Sequence, residues 1–460
     1  MTPGRLSSGS QRLDDVLGGG LPANAINLII GAPGSGKTIL CEQYVFHNAT
    51  PEHPAIYLST VSEPFDKIIR YGQELSFFEP KALGSRVIYE DLGADLRDGG
   101  LGAALARIDG LLKERRPGIV VIDSFKALSA FASSDGDLRR FLHDLAGKLT
   151  AIAASSFWVG EYSPENAVDA AEFAVADAII ALIARRSNER ERRVMRVLKL
   201  RGSGFLSGDH GYRISKDGIN VFPRLADRID DSEYRLGTER HATGVAALDE
   251  LLGDGYWPGS ATLVAGPSGV GKTLMGLHFI FNGAQAGQPG LIASLQENRT
   301  QLERVVRGFG WTLEAPGVHL LAHSPVDIYI DEWAHELLAA IESHGCRRVL
   351  IDSLVDLALA AGDDLRFREW MYSLTQRCSR AGISLMMTME VPELFTMTRI
   401  SEAGMSHLSD NVLVLQYVKE GELLRRALTV VKTRASTHQP AVRRFEITPQ
   451  GITLGPRVSE

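Results

Sequence analysis

The sequence contains very few cysteines and no apolar run long enough to cross a membrane. Only Cys41, Cys346 and Cys378 occur among 460 residues, and their wide separation provides neither a disulfide framework nor a paired zinc-ligand spacing. The first residues, 1–13, are polar and lack the basic and apolar regions of a signal peptide. We therefore expect a reduced, cytoplasmic protein without a membrane anchor.

An excess of positive charge is absent as well. The formal net charge is −7, so the chain has no overall basic field that would hold nucleic acid. Arginines cluster at residues 185–196, but Glu189 and Glu191 interrupt them, and we interpret this segment as a solvated face. With 44% hydrophobic residues and a length of 460, the composition is typical of a globular protein with two domains.

The two halves of the chain carry the same motifs in the same order. The pattern G-x-x-x-x-G-K-T occurs at residues 31–38 and again at 266–273, an offset of 235 (266 minus 31). An apolar stretch that ends in Asp-Ser places Asp123 and Asp352 at an offset of 229 (352 minus 123). Such recurrence indicates a duplicated domain.

The polar, charge-mixed stretch at 224–240 separates the two copies and gives predicted domains 1–231 and 232–460. Each copy alternates short apolar runs with helical patterns such as residues 39–49. In the first copy the predicted strands are 26–30, 55–58, 119–122 and 152–159. Apolar strands without polar alternation are typical of buried parallel sheets. The predicted fold class is therefore α/β, with a mainly parallel twisted sheet flanked by helices in each domain.

The repeated glycine-rich motif is a P-loop. Its glycines let the backbone curl, so that successive N–H groups point at phosphates beside the positive end of the following helix. We predict that Lys37 and Lys272 reach the β and γ phosphates of ATP, and that Thr38 and Thr273 bind Mg²⁺. The other predicted phosphate-binding residues are Gly34, Ser35, Gly36, Gly269, Val270 and Gly271. A single match could be a glycine-rich helix cap, but two equivalent matches argue against that alternative.

Asp123 and Asp352 end apolar strands at matching distances from the two P-loops. Carboxylates at such positions organise the magnesium ion of P-loop enzymes, so both are predicted metal-site residues. An aspartate that closes a strand can instead cap a helix or turn. Ser124 and Ser353 follow directly, and the sequence leaves open whether they donate hydrogen bonds or only pack.

Together these residues resemble the KaiC-like family of double-domain ATPases with RecA-type folds. The likeness also includes the segments before the two P-loops, at 8–14 and 243–249, and two further segments at 198–202 and 445–452. The resemblance implies two tandem RecA-like P-loop domains in a homohexameric ring, with ATP held between neighbouring subunits. The sequence ends at Glu460, so we expect the C-terminal tail of the clock members to be absent.

Four basic residues at strand ends have two interpretations. Lys199 with Arg201 and Lys432 with Arg434 recur at an offset of 233 (432 minus 199). Considered alone, they are typical of a solvated strand end. The resemblance implies instead that they extend to the phosphates bound by the next subunit.

RecA-type enzymes place the carboxylate that activates water after the second strand. Glu63 and Glu297 hold that position at an offset of 234 (297 minus 63), and we predict that they are the bases. Family members that autophosphorylate have another glutamate directly before, where this chain has Ser62 and Gln296. A glutamine orients a nucleophile but cannot accept its proton, so we expect slow hydrolysis.

The resemblance also marks Ser406 as a phosphorylation candidate, although His407 replaces the threonine that follows it in the family. The leading interpretation is an ATP- and Mg²⁺-dependent switch that hydrolyses ATP, with weak serine autokinase activity at Ser406. The alternatives are a RecA-type nucleic-acid motor and a nucleotide-dependent scaffold with little turnover. The sequence identifies no protein partner and favours neither nucleic acid nor a membrane as a partner.

Overall fold

The computed structural model describes residues 4–60, 65–163, 170–187, 190–225, 237, 239–326, 328–391, 408–434, 439 and 441–457. The chain divides into two compact units, Met1–Asp227 and Arg228–Glu460, here called domain 1 and domain 2. The predicted boundary at residue 232 lies outside the described residues and stays a prediction. Among the described helices, none is both long and apolar enough to cross a membrane.

The strands of domain 1 form one large sheet and one short ribbon. They are β1 (Arg5–Leu6), β2 (Leu21–Pro22), β3 (Ile26–Gly31), β4 (Ala55–Ser59), β5 (Val87–Asp91), β6 (Ile119–Asp123), β7 (Ser155–Gly160), β8 (Ala178–Ser187), β9 (Arg190–Leu200), β10 (His210–Ser215) and β11 (Gly218–Phe222). The large sheet has the order β11-β10-β9-β8-β3-β7-β6-β4-β5. Neighbours from β8 to β5 pair in parallel, and β8 to β11 continue antiparallel.

Helices cover both faces of this sheet. They are α1 (Gln11–Val16), α2 (Lys37–Asn48), α3 (Phe65–Gly72), α4 (Gly93–Arg115), α5 (Asp135–Ala151) and α6 (Ala171–Val175), with 3-10 turns at Pro80–Ala82 and Phe125–Phe131. Along β3, Ile29 packs into the core beneath α2, whereas Leu28 and Ile30 pack into the core on the other face. Burial on both faces explains why the strand is apolar at consecutive positions.

Domain 2 repeats the same sheet. Its strands are β12 (Ala261–Gly266), β13 (Gly290–Ser294), β14 (Val318–Ala322), β15 (Arg348–Asp352), β16 (Ser384–Glu390), β17 (Asn411–Glu420), β18 (Leu423–Thr433), β19 (Arg443–Thr448) and β20 (Gly451–Arg457). Their order, β14-β13-β15-β16-β12-β17-β18-β19-β20, is that of the domain 1 sheet read from the opposite edge. The predicted α/β fold class, with two tandem mainly parallel sheets, is thereby confirmed.

The helices of domain 2 are α7 (Ala246–Leu252), α8 (Lys272–Gln285), α9 (Arg299–Arg307), α10 (Ile330–His344), α11 (Leu354–Ala361) and α12 (Asp364–Arg380). Helix α9 begins with a capping box, in which the Asn298 side chain accepts from the Gln301 backbone and the Gln301 side chain accepts in return. Helix α8 is buried along most of its length, as expected for a helix that packs on the sheet centre.

One buried cation distinguishes domain 2 from domain 1. Arg348 is 1% exposed, and its guanidinium donates to the Gln288 side chain and to the carbonyl oxygens of Ala242 and Phe279. Burial lowers the pKa of Arg348 to about 10. Gly283 makes room for this side chain, since a Cβ there would lie 2.3 Å from Arg348 Cδ.

The strand register brings the functional segments together. In domain 1, Asp123 at the end of β6 pairs with Ser59 at the end of β4. In domain 2, Asp352 pairs in the same way with Ser294. The carboxyl ends of parallel strands meet at one edge of the sheet. Asp123 therefore lies beside the segment that follows β4, and Asp352 lies beside the segment that follows β13.

Candidate functional site

Each P-loop curls tightly between a central strand and a helix. Gly36 and Gly271 have φ angles of 92° and 116°, a left-handed conformation that favours glycine. Lys37 Nζ donates to the carbonyl oxygens of Gly31 (3.0 Å) and Ala32 (2.9 Å). The Nζ atom of Lys272 makes the same two bonds within its own loop, at 2.9 and 2.8 Å. Both lysines therefore lie over the loop where phosphates would bind.

The first backbone amides of α2 and α8 form an anion cradle. Within the described part of the chain, no hydrogen bond engages the N–H groups of Gly36, Lys37 and Thr38. The equivalent amides at 271–273 are likewise unengaged within that part. Free amides at the positive end of a helix can donate hydrogen bonds to a phosphate group, so this donor set suits a nucleoside triphosphate.

The P-loop threonine and the strand-end aspartate are in direct contact in both copies. Thr38 Oγ1 donates to Asp123 Oδ2 at 2.9 Å. Thr273 Oγ1 donates to Asp352 Oδ2 at 2.7 Å. The residues predicted as Mg²⁺ ligands are thus brought together by the fold, with oxygen atoms of the kind that Mg²⁺ prefers.

Two further carboxylates face the P-loop lysines. Burial lowers the pKa of Lys37, and the negative charges of Glu161 and Asp123 act in the opposite direction. Burial likewise lowers the pKa of Lys272, against Glu390 and Asp352. The sequence argument missed Glu161 and Glu390, although their offset of 229 (390 minus 161) equals that of the strand-end aspartates and could have revealed them.

The second partner of the strand-end aspartate differs between the copies. In domain 1 the Tyr57 hydroxyl donates to Asp123 Oδ2 at 2.7 Å. In domain 2 the Thr388 hydroxyl donates to Asp352 Oδ1. Thr388 belongs to β16, which lies on the opposite side of β15 from β13. Each aspartate therefore has one oxygen fixed by a buried hydroxyl in addition to the P-loop threonine, and sequence reasoning predicted neither hydroxyl.

Glu297, a predicted base, lies close enough to Asp352 to be influenced by its charge. It is half-buried, and its Oε2 atom is buried without a hydrogen-bond partner among the described residues. Burial raises the pKa of Glu297, and the charge of Asp352 adds to the effect. Its counterpart Glu63, with Ser62, lies outside the described residues.

Gln296 belongs to a small polar network at the same edge. Its Nε2 atom donates to Ser353 Oγ at 3.1 Å and to Asp356 Oδ2 at 3.0 Å. Ser353 Oγ also donates to Asp356 Oδ2, at 2.9 Å. Of the two interpretations of Ser353, the hydrogen-bond donor is therefore the one that the structure supports. Asp356 was not anticipated from the sequence.

An apolar cavity of about 360 Å³ adjoins the P-loop of domain 1. Ile39, Ile68 and Ile214 line it together with the glycines of the loop, and Tyr71 lies at its wall. Glu42 also borders the cavity, and burial raises the pKa of its carboxyl to about 8. A flat apolar group of nucleobase size fits a cavity of this volume.

The basic residues of the strand ends lie far from the P-loop of their own domain. Lys199 Nζ donates to the Phe173 and Ala174 carbonyls, and Arg201 pairs with Asp177. The Asp177 backbone N–H donates to Ile26, the first residue of β3, whereas the P-loop follows the last residue of that strand. The separation along the strand is roughly 16 Å.

Domain 2 has the same arrangement. Lys432 Nζ donates to the Ser409 carbonyl, and Arg434 pairs with Asp410. The Asp410 backbone N–H donates to Ala261, the first residue of β12. These two residues thus also lie at the edge of the sheet opposite their own P-loop.

Three arginines of the cluster in domain 1 pair with carboxylates. Arg185 and Arg196 both pair with Asp209, at 2.9 and 2.6 Å, and Arg193 lies 3.8 Å from Glu191. This pairing agrees with the interpretation of a solvated, salt-bridged face. Ser406, the phosphorylation candidate, lies outside the described residues.

Comparisons with known proteins agree with this geometry. The family model described as "ATPase: KaiC" matches residues 6–226 and 241–459. The circadian clock oscillator protein KaiC of Rippkaea orientalis is 28% identical over 462 residues, which cover 96% of this chain and 87% of that protein. Those of Thermosynechococcus vestitus (29% over 459 residues, 96% and 87%) and Synechococcus elongatus (27% over 454 residues, 95% and 86%) are similar to the same extent. With both P-loop domains inside the matched residues, the chain belongs to the KaiC family of P-loop ATPases.

Proposed function

We propose that this protein binds ATP with Mg²⁺ in both domains, hydrolyses it, and uses the nucleotide state as a conformational switch. The observation that carries the proposal is the Thr–Asp hydrogen bond beneath each P-loop, at 2.9 Å in domain 1 and 2.7 Å in domain 2. Each pair would hold the metal, and each P-loop lysine would move from its backbone carbonyls to the phosphates. When bound, ATP would supply the reactive phosphoanhydride bond, and Mg²⁺ would supply positive charge that balances the phosphates.

The apolar cavity of domain 1 would hold the nucleobase. It begins at Gly34 and Thr38 of the phosphate cradle and continues between α3 and the hairpin that carries Ile214. A base bound there would be removed from water by Ile39 and Ile68. This position is continuous with the amides that would hold the phosphates, as one bound nucleotide requires.

Glu63 and Glu297 are the proposed bases of hydrolysis. The argument rests on Glu297, whose raised pKa favours acceptance of a proton from water that attacks the γ phosphate. Its buried Oε2 atom has no hydrogen-bond partner within the described part and can accept that proton. Gln296, directly before it, would orient the water without taking the proton.

Lys199, Arg201, Lys432 and Arg434 are proposed to complete the site of a neighbouring subunit. In their own domains they lie at the sheet edge opposite the P-loop, so they cannot contact the phosphates held there. A closed ring of identical subunits would bring each of them to the next subunit's nucleotide. We propose six subunits, following the family resemblance, and a cytoplasmic location.

The test is release of phosphate from γ-labelled ATP with Mg²⁺. Turnover in the wild type should fall in Lys37→Ala and in Lys272→Ala, and should vanish in the double variant, because each lysine serves one site. Lys113→Ala, an exposed lysine on α4, is the matched control and should retain full turnover. Turnover that survives the double variant would contradict the proposal, whereas undetectable wild-type turnover with nucleotide-dependent assembly would favour a scaffold.

Weak autokinase activity at Ser406 is the finer part of the proposal. In the same reaction, label in the protein band that disappears with Ser406→Ala would support it. Ser401→Ala, a serine in the same segment, is the matched control. Label found only in free phosphate would leave a plain ATPase.

A further inference from the structure

The amide of Gln296 has only one orientation that its surroundings allow. An ionised carboxylate accepts hydrogen bonds and donates none, so the group that faces Asp356 must be the Nε2 donor. The same Nε2 atom also donates to Ser353 Oγ, which in turn donates to Asp356. A glutamine outside such a network could turn its amide by 180°. Here the carboxylate fixes it.

The opposite end of the amide is consequently available. Gln296 is an exposed residue at the carboxyl edge of the sheet, next to Glu297. Within the described part of the chain, its Oε1 atom accepts no hydrogen bond. A carbonyl oxygen held in this way can accept a hydrogen bond from water, and so orient it.

Domain 1 lacks both members of this pair. The position equivalent to Asp356 is Ala127, at the strand-end offset of 229 (356 minus 127). The position equivalent to Gln296 is Ser62, at an offset of 234 (296 minus 62). The carboxylate thus occurs in the copy that has the glutamine, and is absent from the copy that does not.

We propose that Asp356 is a positioning residue for ATP hydrolysis in domain 2, which fixes Gln296 so that its amide oxygen orients the attacking water. The inference rests on the proposed function of this site. In the reaction, the water oxygen forms a bond to the γ phosphorus, and the bond from that phosphorus to the β–γ bridging oxygen breaks. One water proton goes to Glu297, the other stays on the oxygen that joins the released phosphate, and ADP leaves with the bridging oxygen.

The experiment measures domain 2 alone, in a Lys37→Ala background. Asp356→Ala should lower kcat roughly tenfold or more, because Gln296 loses its fixed orientation. KM for ATP should stay within about twofold, because Asp356 does not contact the phosphate cradle. Asp356→Asn, which keeps an acceptor oxygen but can turn, should retain more activity than Asp356→Ala. Asp364→Asn, the same charge change at an exposed position on α12, is the matched control.

A double-mutant cycle separates positioning from a general structural effect. If Asp356 acts through Gln296, then Asp356→Ala should cause no further loss of kcat once Gln296→Ala is present. Independent, multiplicative losses would overturn the inference. So would an unchanged or increased kcat in Asp356→Ala, or a loss of ATP binding in that variant.

The inference and the proposed function fail in different ways. Absence of phosphate release from the wild type would overturn the proposed function itself. Release from the wild type that disappears in Lys37→Ala would leave ATP hydrolysis in domain 1 standing. It would overturn hydrolysis in domain 2, and with it the role of Asp356.

Discussion

The carboxyl group of Glu42 has no counterpart in domain 2, where Leu277 takes its place (277 minus 42 is 235). Glu42 is 2% exposed, and the Tyr89 hydroxyl donates to it at 3.2 Å. Burial raises its pKa to about 8, compared with 4.5 for an ordinary glutamate. The folded protein therefore keeps this proton at neutral pH, whereas the unfolded chain releases it.

From this difference we predict that domain 1 loses stability as the pH rises from about 4.5 to about 8. Across this range the folded state binds more protons than the unfolded state, so higher pH favours unfolding. The change should be on the order of a few kcal/mol and should disappear in Glu42→Leu. Hydrogen exchange of α2, measured against pH without nucleotide or metal, checks this. The control is Glu74→Leu, at an exposed position, and a pH dependence that persists in Glu42→Leu would contradict the prediction.

Position 296 holds a glutamine where the autophosphorylating family members have a glutamate, and the effect of placing a glutamate there can be predicted. Gln296→Glu alone places two carboxylates at about the present 3.0 Å separation, and their repulsion raises the pKa of the pair. We expect little gain in kcat from this variant. Adding Asp356→Ala removes the repulsion and should raise kcat several-fold. Phosphate release in the Lys37→Ala background measures both, and an equal gain in the single and double variants would be the contrary result.

The sequence predicted the P-loop lysines, threonines and strand-end aspartates because their spacing along the chain is itself the motif. Tyr57, Thr388 and Asp356 were missed for a physical reason. Tyr57 contacts Asp123 only because β4 pairs with β6 in a particular register, and Thr388 contacts Asp352 only because β16 lies beside β15. Strand register depends on the whole sheet and cannot be read from one segment.

At the scale of elements, one side chain in each domain ties the P-loop helix to the last hairpin. Gln43 on α2 donates to the Ser8 carbonyl and accepts from the Ile219 backbone, both at 3.0 Å. His278 on α8, the equivalent residue, accepts from the Ile452 backbone at 3.0 Å and bonds to the Gly244 backbone. We call these two side chains the hairpin anchors. Only the anchor of domain 2 can be protonated.

Acid should therefore loosen the hairpin of domain 2 but not that of domain 1. Burial lowers the pKa of His278 below its ordinary value of 6.5, so the unfolded state binds the proton first. The contribution of His278 to the stability of domain 2 is fully present above pH 6.5. It falls as the pH drops below that value, because protonation removes the acceptor for the Ile452 N–H. Amide exchange should accelerate at Ile452 and stay protected at Ile219, after correction for intrinsic rates. His278→Gln, which copies domain 1, should abolish the acceleration, and its persistence would contradict the prediction.

Element boundaries were predicted unevenly. The strand predicted at 26–30 is β3, which extends one residue further, to Gly31. The helix predicted at 39–49 is α2, which begins earlier, at Lys37, and ends at Asn48. The strand predicted to begin at 152 begins instead at Ser155, because α5 continues to Ala151 and Ala153 adopts a left-handed φ of 56°. An apolar run does not by itself distinguish the last helical turn from the first residue of a strand.

At the scale of the whole molecule, the basic residues at the strand ends lead us to predict that each complete ATPase site takes residues from two subunits. Arg201→Ala and Lys37→Ala, each in a Lys272→Ala background, should both be inactive. When they are mixed, an intact P-loop can meet an intact Arg201 from a different subunit at about one interface in four. We therefore expect the mixture to recover phosphate release.

The control for this experiment is Arg193→Ala, which removes an arginine from β9, the strand that Arg201 directly follows, and should keep the turnover of its background. Size-exclusion chromatography with ATP checks that the variants still assemble. Recovery in the mixture would support contacts between subunits. A mixture as inactive as its components would show that Arg201 serves a site within its own chain, contrary to the distance along β3.

The buried Arg348 of domain 2 limits which segments of the two halves could be interchanged. Domain 1 has Ile119 in the place of Arg348 (348 minus 119 is 229) and Asn48 in the place of Gly283 (283 minus 48 is 235). A hybrid that joined helix α2 to strand β15 would press the Asn48 side chain against the guanidinium that Gly283 now admits. Such a hybrid would overpack the core at this position, so α8 and β15 can be exchanged only together.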